Sequence, residues 1–380
     1  EWRADVLLRR EDNAAALLGL PAALRPEDFN SFSAAQLLRV ERRGVRAQWI
    51  SPATYLRVNE ILRAPVERRG ARNPVVVEMI GGLNAEGCRT FLNQLTGHAP
   101  IHVAGSPATI SSRLSSGSQI VTLMNWLVAD LRAAGLDARL DTFFSPAHGR
   151  DLQQVVATIP GTDLANQLVL VTAHLDAVSG TEGANDNASG IAAMVCAAKQ
   201  LAGRRFRRTI QFVAFNAEEQ GLIGSVDYAR RLMESRSFSI CGAFNLDMVA
   251  FDQDNDRRIQ LQTNGTPASN FMTDRVAENV ATYGLNLIPV KVTDSEQSSD
   301  YAAFWRIGQP AINIGDEYFL CDADCVSPPR RAVTPPAGDF TPCYHRPCDN
   351  MSEPHLSFDL LMEVSKALVA TVSDVALLQP

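Results

Sequence analysis

The sequence predicts an α/β protein: a three-layer α/β/α sandwich with a central mixed, mostly parallel sheet, preceded by an N-terminal helical or mixed segment. Two observations support this prediction. Apolar runs of strand length alternate with amphipathic helical patterns over most of the chain, which is typical of a sheet covered by helices on both faces. Two of those runs, 167–173 and 209–215, are nearly continuous in apolar residues, as in strands buried on both faces.

The N-terminal region, 1–105, differs from the rest of the chain. It holds three short helical patterns and one strand-like run, at 12–18, 34–40, 52–62 and 74–80. None of these carries a recognisable catalytic motif. Because the pattern changes near Gly105, we predict a domain boundary there, with the first region acting as a propeptide, a lid or a docking module.

The predicted second domain, 106–380, begins with a helix. Apolar residues recur every three or four positions over 119–134, and Gly135 follows as a stop signal. Strands are then predicted at 154–159, 167–173, 209–215, 240–246, 259–262 (as an edge strand), 287–292 and 311–314. Helices are predicted at 189–201, 221–233, 266–283, 300–306 and 358–377. In such sheets the ligand crevice lies beyond the carboxyl ends of the strands.

Composition restricts the classes of function. The net charge of −7 argues against binding to a nucleic-acid backbone, which needs a concentrated basic surface. No apolar run is long enough and sufficiently free of charge to form a membrane span. The composition therefore indicates a protein that acts on small or peptidic molecules.

The cysteines indicate the compartment. Four of the seven lie within one short proline-rich stretch, at Cys321, Cys325, Cys343 and Cys348. This clustering is typical of local disulfides, of which three pairings are possible, in a secreted or periplasmic protein. The alternative is a structural zinc site made from these thiolates and His345.

Acidic and histidine side chains follow several predicted strands. His174 and Asp176 come after the strand that ends at Ala173, and their spacing places both on one face of an extended backbone. The Asp176 carboxylate can then accept the imidazole N–H and orient the ring toward a metal. Asp186 lies in a turn directly before a helix, where a helix cap is the simpler explanation for an acidic residue.

Further candidates follow later strands. Glu218 and Glu219 come after the strand at 209–215, and adjacent carboxylates resist joint ionisation unless a cation lies between them. Asp247 directly follows the strand at 240–246, and His345 lies far along the chain. Together the candidates supply two imidazoles and several carboxylates at one edge of the sheet, a donor set that suits two divalent metal ions.

Five motifs resemble the M28 family of co-catalytic zinc aminopeptidases, in the order in which that family has them. They are His174-Leu-Asp176, Gly183-Ala-Asn-Asp186-Asn-Ala-Ser-Gly190, Ala217-Glu218-Glu219-Gln-Gly221-Leu, Leu246-Asp247-Met248 and Tyr344-His345. The resemblance implies two Zn²⁺ per chain, with one carboxylate shared. Three ligands are implied for each ion: His174, Asp186 and Asp247 for the first, and Glu219, Asp186 and His345 for the second.

The resemblance also implies an activity. It identifies a metallo-exopeptidase that removes the N-terminal residue from peptides or proteins with a free N-terminus. A zinc-bridged water is the implied nucleophile, with Glu218 as general base and then acid. Asp176 is the implied support of His174, and a cis peptide bond is expected between Asp186 and Asn187.

A low-polarity pocket for the first substrate side chain is predicted from residues next to the motifs: Met248, Ile314, Phe319 and Tyr344. Two other functions remain open on the sequence alone. One is a glutaminyl cyclase of the same fold with a single zinc, for which Glu219, Asp186 and His345 suffice. The other is a binding ectodomain that keeps the fold without the chemistry, although all five implied metal ligands are present.

Overall fold

The computed structural model describes residues 41–42, 45–46, 71–293, 297–317 and 341–379. The chain divides into two compact units, Glu1–Glu67 and Arg68–Pro380. In the first unit, strand β1 (Glu41–Arg42) pairs antiparallel with β2 (Val45–Arg46). The helical patterns predicted at 12–18, 34–40 and 52–62 lie outside the described residues.

The second unit opens with two helices, α1 (Pro74–Gly81) and α2 (Ala85–Leu95), and a hairpin of β3 (Ile101–Val103) and β4 (Ser106–Ala108). The strand predicted at 74–80 is therefore wrong. Asn73 caps the helix by accepting the N–H of Val75, and Pro74 occupies the first turn. These two start signals outweigh the strand preference of three consecutive valines.

An eight-stranded sheet forms the centre of the second unit. Its strands are β5 (Asp137–Ser145), β6 (Arg150–Ile159), β7 (Leu164–His174), β8 (Arg208–Phe215), β9 (Ser239–Leu246), β10 (Arg258–Thr263), β11 (Ile288–Thr293) and β12 (Ala311–Gly315). Their order is β11-β10-β12-β9-β7-β8-β6-β5. The neighbours from β12 to β8 are parallel, as are β10 and β11, and the remaining pairs are antiparallel. The predicted mixed, mostly parallel sheet is confirmed.

Helices flank the sheet. They are α3 (Ser118–Ala133), α4 (Gly190–Leu201), α5 (Ile223–Ser235), α6 (Pro267–Tyr283), α7 (Tyr301–Arg306) and α8 (Phe358–Val375). Leu168 and Leu170 of β7 pack in one cluster with residues of α5 and α7. Val169 and Val171 point to the opposite face because side chains alternate along a strand, and they are buried too. Helix α4 packs on β7 and α8 packs on α4, so the sheet is covered on both faces.

The first two helices of this unit also contact its later helices. Helix α1 packs against α8, and α2 packs against α4, to which a Cys88–Cys196 disulfide joins it. Residues 74–95 therefore lie in the same compact unit as the sheet. The separate role assigned to residues 1–105 stays a prediction.

Two strand assignments need correction. Residues 259–262 do not form an edge strand, because β10 lies between β11 and β12. The edge strands of the sheet are β11 and β5, and the sequence analysis did not predict β5. Its acidic and basic residues, such as Asp137 and Arg139, interrupt the apolar pattern, yet they alternate with buried side chains as expected of a half-exposed edge strand. No helix in the described part of the chain is long and apolar enough to cross a membrane.

Candidate metal centre

Three neighbouring parallel strands end at the site. Strand β7 ends at His174, β8 ends at Phe215 shortly before Glu218, and β9 ends directly before Asp247. Because these strands are adjacent and parallel, their carboxyl ends meet at one edge of the sheet. The polar residues that follow each strand are thereby brought together.

Two groups of donor atoms share one carboxylate. His174 Nε2 lies 3.2 Å from Asp186 Oδ1 and 3.3 Å from Asp247 Oδ1. His345 Nε2 lies 3.2 Å from Asp186 Oδ2 and 3.1 Å from Glu219 Oε2. The two oxygens of Asp186 thus face different imidazoles, which is the arrangement of a bridging carboxylate.

The spacing of these atoms fits zinc. Ligands about 2.0 to 2.1 Å from a tetrahedral Zn²⁺ lie about 3.3 Å from one another. The four separations here, from 3.1 to 3.3 Å, match that value. Glu219 Oε1 is buried without a hydrogen-bond partner among the described residues, which leaves one acceptor of this proposed ligand unsatisfied. The donor set therefore suits two divalent ions.

The turn that carries Asp186 is fixed by its neighbour. A cis peptide bond joins Asp186 to Asn187, as expected. The Asn187 amide donates to Leu246 O at 2.8 Å, and its oxygen accepts the N–H groups of Gly190 and Met248. A Cβ at Gly190 would lie 2.3 Å from that Asn187 oxygen, so only glycine fits there.

Asp176 has a different partner from the one predicted. His174 Nδ1 lies 3.8 Å from the Asp176 carboxylate and is closer, at 3.1 Å, to the main-chain oxygen of Asp176. The two carboxylate oxygens instead accept the N–H groups of Glu218 and Glu219, each at 3.2 Å. Asp176 therefore orients the Glu–Glu segment through hydrogen bonds and supports His174 through its backbone.

The clustered carboxylates give the site a negative electrostatic potential. Burial raises the pKa of Glu218 well above its usual value; His174 opposes this effect, and Asp300, Asp247 and Glu219 add to it. Hydrogen bonds to Asp186 and Glu219 raise the pKa of His345 to about 10. Such a cluster attracts cations, and a metal that binds to it must displace protons.

Three of the four predicted pocket residues border the cluster. Met248 follows Asp247 with a left-handed φ of 58°, and Ile314 O accepts the Asp247 N–H. Tyr344 stacks on the ring of His345, with 3.8 Å between the ring centroids. Phe319 lies outside the described residues. The pocket itself stays a prediction.

A disulfide brackets His345. Cys343 is bonded to Cys348, so the expected local disulfide is present. The alternative structural zinc site needed Cys343 as a thiolate, and this bond excludes that ligand. Cys321 and Cys325 lie outside the described residues.

Sequence reasoning missed four buried charged residues around the cluster: Arg113, Asp300, Asp316 and Asp349. Burial raises the pKa of Asp300 to about 7, and burial also raises the pKa of Asp316 well above its usual value. Asp349 stands four residues after His345, outside the Tyr344-His345 motif. No sequence pattern marks Arg113 as part of the site, because it contacts main-chain atoms of segments far away in sequence.

The fold and this cluster define a class: α/β sandwiches whose donor set at the carboxyl edge of the sheet suits a pair of divalent metal ions. Comparison with known sequences identifies the family. Residues 154–372, more than half of the chain, match peptidase family M28. The chain belongs to this family, as the five motifs predicted.

Similar proteins include two curated relatives. Leupeptin-inactivating enzyme 1 of Streptomyces exfoliatus is 28% identical over 238 residues, 60% of this chain and 50% of that protein. Aminopeptidase YwaD of Bacillus subtilis is 30% identical over 207 residues, 54% of this chain and 40% of that protein. The chain thus spans no more than half the length of these two relatives.

Solved structures share the fold. A zinc aminopeptidase from Bacillus subtilis has a TM-score of 0.62 at 17% identity, covering 78% of this chain and 96% of that one. A glutaminyl cyclase of Porphyromonas gingivalis has a TM-score of 0.59 at 18% identity, covering 77% of this chain and 98% of that one. The sandwich is therefore common to proteins of both kinds.

Proposed function

We propose that the chain is a metal-dependent aminopeptidase that holds two zinc ions. The position of Asp186 carries this proposal, because each of its oxygens lies 3.2 Å from a different histidine. Family membership and the names of the relatives, among them aminopeptidases and a zinc aminopeptidase, support the same conclusion.

Five residues would hold the metals: His174, Asp186 and Asp247 for one ion, and Glu219, Asp186 and His345 for the other. Bound zinc supplies Lewis-acid polarisation of a carbonyl and lowers the pKa of a coordinated water. The presence of Asp247 at 3.3 Å from His174 Nε2 favours two ions over the single ion of the cyclase alternative.

Glu218 is the proposed general base. One of its carboxylate oxygens lies within 4.8 Å of donor atoms of His174 and Asp247, and the proposal assigns it proton transfer and not metal binding. Burial raises its pKa well above the usual value, which favours a carboxylate that can hold a proton. It accepts a proton from the attacking water and then delivers it to the departing amine. Asp176 holds the main chain of Glu218 in place for both transfers.

The proposed substrates are peptides with a free N-terminus. An α-ammonium group is attracted by the negative potential of the carboxylates, which favours cleavage of the first peptide bond over internal bonds. Met248, Ile314, Phe319 and Tyr344 are the proposed wall of the pocket for the first side chain.

The test is metal content together with the Glu218→Gln variant. We expect about two zinc ions per chain from the donor set. Release of amine from leucine, arginine or glutamine chromogenic amides should stop after chelation. Glu218→Gln should keep both metals and lower kcat by about 100-fold or more, because it removes only the proton carrier.

Glu234→Gln is the matched control, because Glu234 is an exposed residue of α5 that pairs with Arg230, and it should leave kcat unchanged. One zinc with cyclisation of an N-terminal glutamine would identify the cyclase instead. A chain that binds no zinc and turns over neither type of substrate would contradict both enzymes and leave a binding module.

We also propose that the protein works outside the cytoplasm, in a secreted or periplasmic location. Two disulfides, Cys88–Cys196 and Cys343–Cys348, support this proposal because such bonds persist in oxidising compartments. Fractionation of the native host should find the activity outside the cytoplasm; activity confined to the cytosol with reduced cysteines would contradict it.

A further inference from the structure

His345 is the one proposed ligand that lies neither at or just after the end of a strand nor in the turn before a helix. It lies in a short loop closed by the Cys343–Cys348 disulfide and is 39% exposed, whereas His174 is 1% exposed. Its φ of 56° is left-handed, an uncommon conformation that the surrounding loop must maintain. Something other than the sheet must therefore hold this loop against Asp186.

Asp349, directly after the disulfide, makes that connection. It is 4% exposed, and its two carboxylate oxygens accept the N–H groups of Asn185 and Asp186, at 2.7 and 3.0 Å. Its main-chain oxygen lies 3.4 Å from the N–H of Ala184. Three consecutive N–H groups of the turn that carries the bridging carboxylate thus point at one residue of the His345 loop.

Arg113 completes the arrangement from the other side. It is 2% exposed and donates to main-chain oxygens at both ends of the site, namely those of Leu95, Leu175, Glu182 and Gly183. Its positive charge attracts Asp349 and offsets part of the cost of burying that carboxylate. The segment before Asp186 is therefore held by Arg113 and the segment that includes Asp186 by Asp349.

We propose that Asp349 is a positioning residue that ties the His345 loop to the Asp186 turn and so sets the affinity of the metal site formed by His345 and Glu219. This inference deepens the proposed function and rests on its metal centre. The His174–Asp247 group depends on this tie only through the shared Asp186, because His174 and Asp247 are placed by strands of the sheet and Asn187 holds the turn to Leu246.

The test is the Asp349→Asn variant of the full chain, with zinc and cobalt as probes. Asparagine keeps the shape but presents a donor to one of the two N–H groups that Asp349 accepts. We expect the metal site formed by His345 and Glu219 to weaken by about 10- to 100-fold while the site formed by His174 and Asp247 changes little. The cobalt absorption spectrum should lose the contribution of one ion, and kcat should fall more than KM rises.

Asp163→Asn is the matched control, because Asp163 forms an exposed ion pair with Arg207, and both zinc affinities should stay unchanged. Equal weakening of both metal sites by Asp349→Asn would indicate a general structural role. Unchanged zinc affinities would show that Asp349 does not position the ligands. Either result overturns the inference. A wild-type chain that binds fewer than two zinc ions would instead contradict the proposed function.

A second measurement does not depend on the variant folding. In hydrogen exchange of the wild-type chain, the amides of Asn185 and Asp186 should be strongly protected. Exchange at the rate of an open loop would show that Asp349 does not hold them, and would overturn the inference by itself.

Discussion

The Asp176 carboxylate accepts two successive main-chain N–H groups, and this fixes the direction in which Glu218 and Glu219 leave the end of strand β8. One of these glutamates is a proposed ligand and the other a proposed base. Two adjacent carboxylates can take different roles only if the backbone between them is fixed. The buried Asp176 carboxylate fixes it by accepting both N–H groups.

Asp176→Asn should therefore affect catalysis through the glutamates. The variant replaces one acceptor oxygen by an NH₂ group that meets a main-chain N–H, so Glu218 or Glu219 is displaced. We expect kcat to fall by about 10- to 100-fold, with weaker zinc binding at Glu219. Steady-state kinetics and zinc titration measure both effects, and unchanged kcat would contradict the role assigned to Asp176.

The proposed metal ligands were predictable because each chemical group stands at a recognisable place. Four follow strands or begin a helix, and the fifth, His345, was a candidate for its imidazole that the family resemblance assigned to a ligand set. Arg113 and Asp349 were not predictable in the same way. Their partners are main-chain atoms far away in sequence, such as Leu175 O for Arg113 and Asn185 N for Asp349, and no local pattern encodes such contacts.

Among the secondary-structure elements, the edge strand β5 and helix α5 are joined by a buried carboxylate. Asp141 of β5 is 5% exposed and accepts hydrogen bonds from Arg231 of α5, from Arg139 and from Gln154. Burial alone would raise the pKa of Asp141, but these hydrogen bonds outweigh it, so the pKa lies below its usual value. The ionised form therefore stabilises the folded state.

Asp141→Asn should lower the free energy of unfolding by about 1 to 3 kcal/mol at pH 7, because charged donors lose their ionised partner. A depressed folded-state pKa adds stability above the unfolded value of about 3.9, and that stability is lost as pH falls through the folded value. The difference between wild type and variant should therefore shrink in acid, below about pH 4. Urea unfolding at several pH values measures it.

The control for this prediction is Asp163→Asn, because the exposed Asp163–Arg207 pair is screened by solvent and should contribute little. A difference at Asp141 that does not depend on pH would show that packing, and not charge, joins β5 to α5.

Secondary-structure elements were predictable where one sequence pattern dominated. The buried strands β7 and β8 contain nearly continuous apolar runs, and the sequence analysis predicted both. Strand β5 was missed because half of its residues face solvent, and α1 was misassigned because the strand preference of Val75–Val77 opposed the helix-start signals of Asn73 and Pro74. Tertiary packing against α8 then favours the helix.

For the molecule as a whole, the Cys88–Cys196 disulfide is the longest-range covalent link among the described residues. It spans 108 residues of sequence and joins α2 to α4, the helix that follows the Asp186 turn. The Cys343–Cys348 bond spans only 5 residues. Loop-closure entropy grows with the logarithm of loop length, so the two bonds should contribute very differently to the stability of the molecule.

Replacing Cys88 and Cys196 by alanine should lower the free energy of unfolding by about 4 to 5 kcal/mol, chiefly because the unfolded chain regains freedom. The Cys343/Cys348 double alanine variant should be measured with a chelator present, so that zinc binding does not contribute. Its free energy of unfolding should fall by about 2 to 3 kcal/mol less than that of the Cys88/Cys196 variant. Chemical unfolding followed by tryptophan fluorescence gives both values. If the long-range bond contributes no more than the short one, noncovalent packing of α2 on α4 already restricts the chain and the entropic account is wrong. If it contributes more, the helices before residue 106 are held to the core by a constraint that acts mainly on the unfolded state.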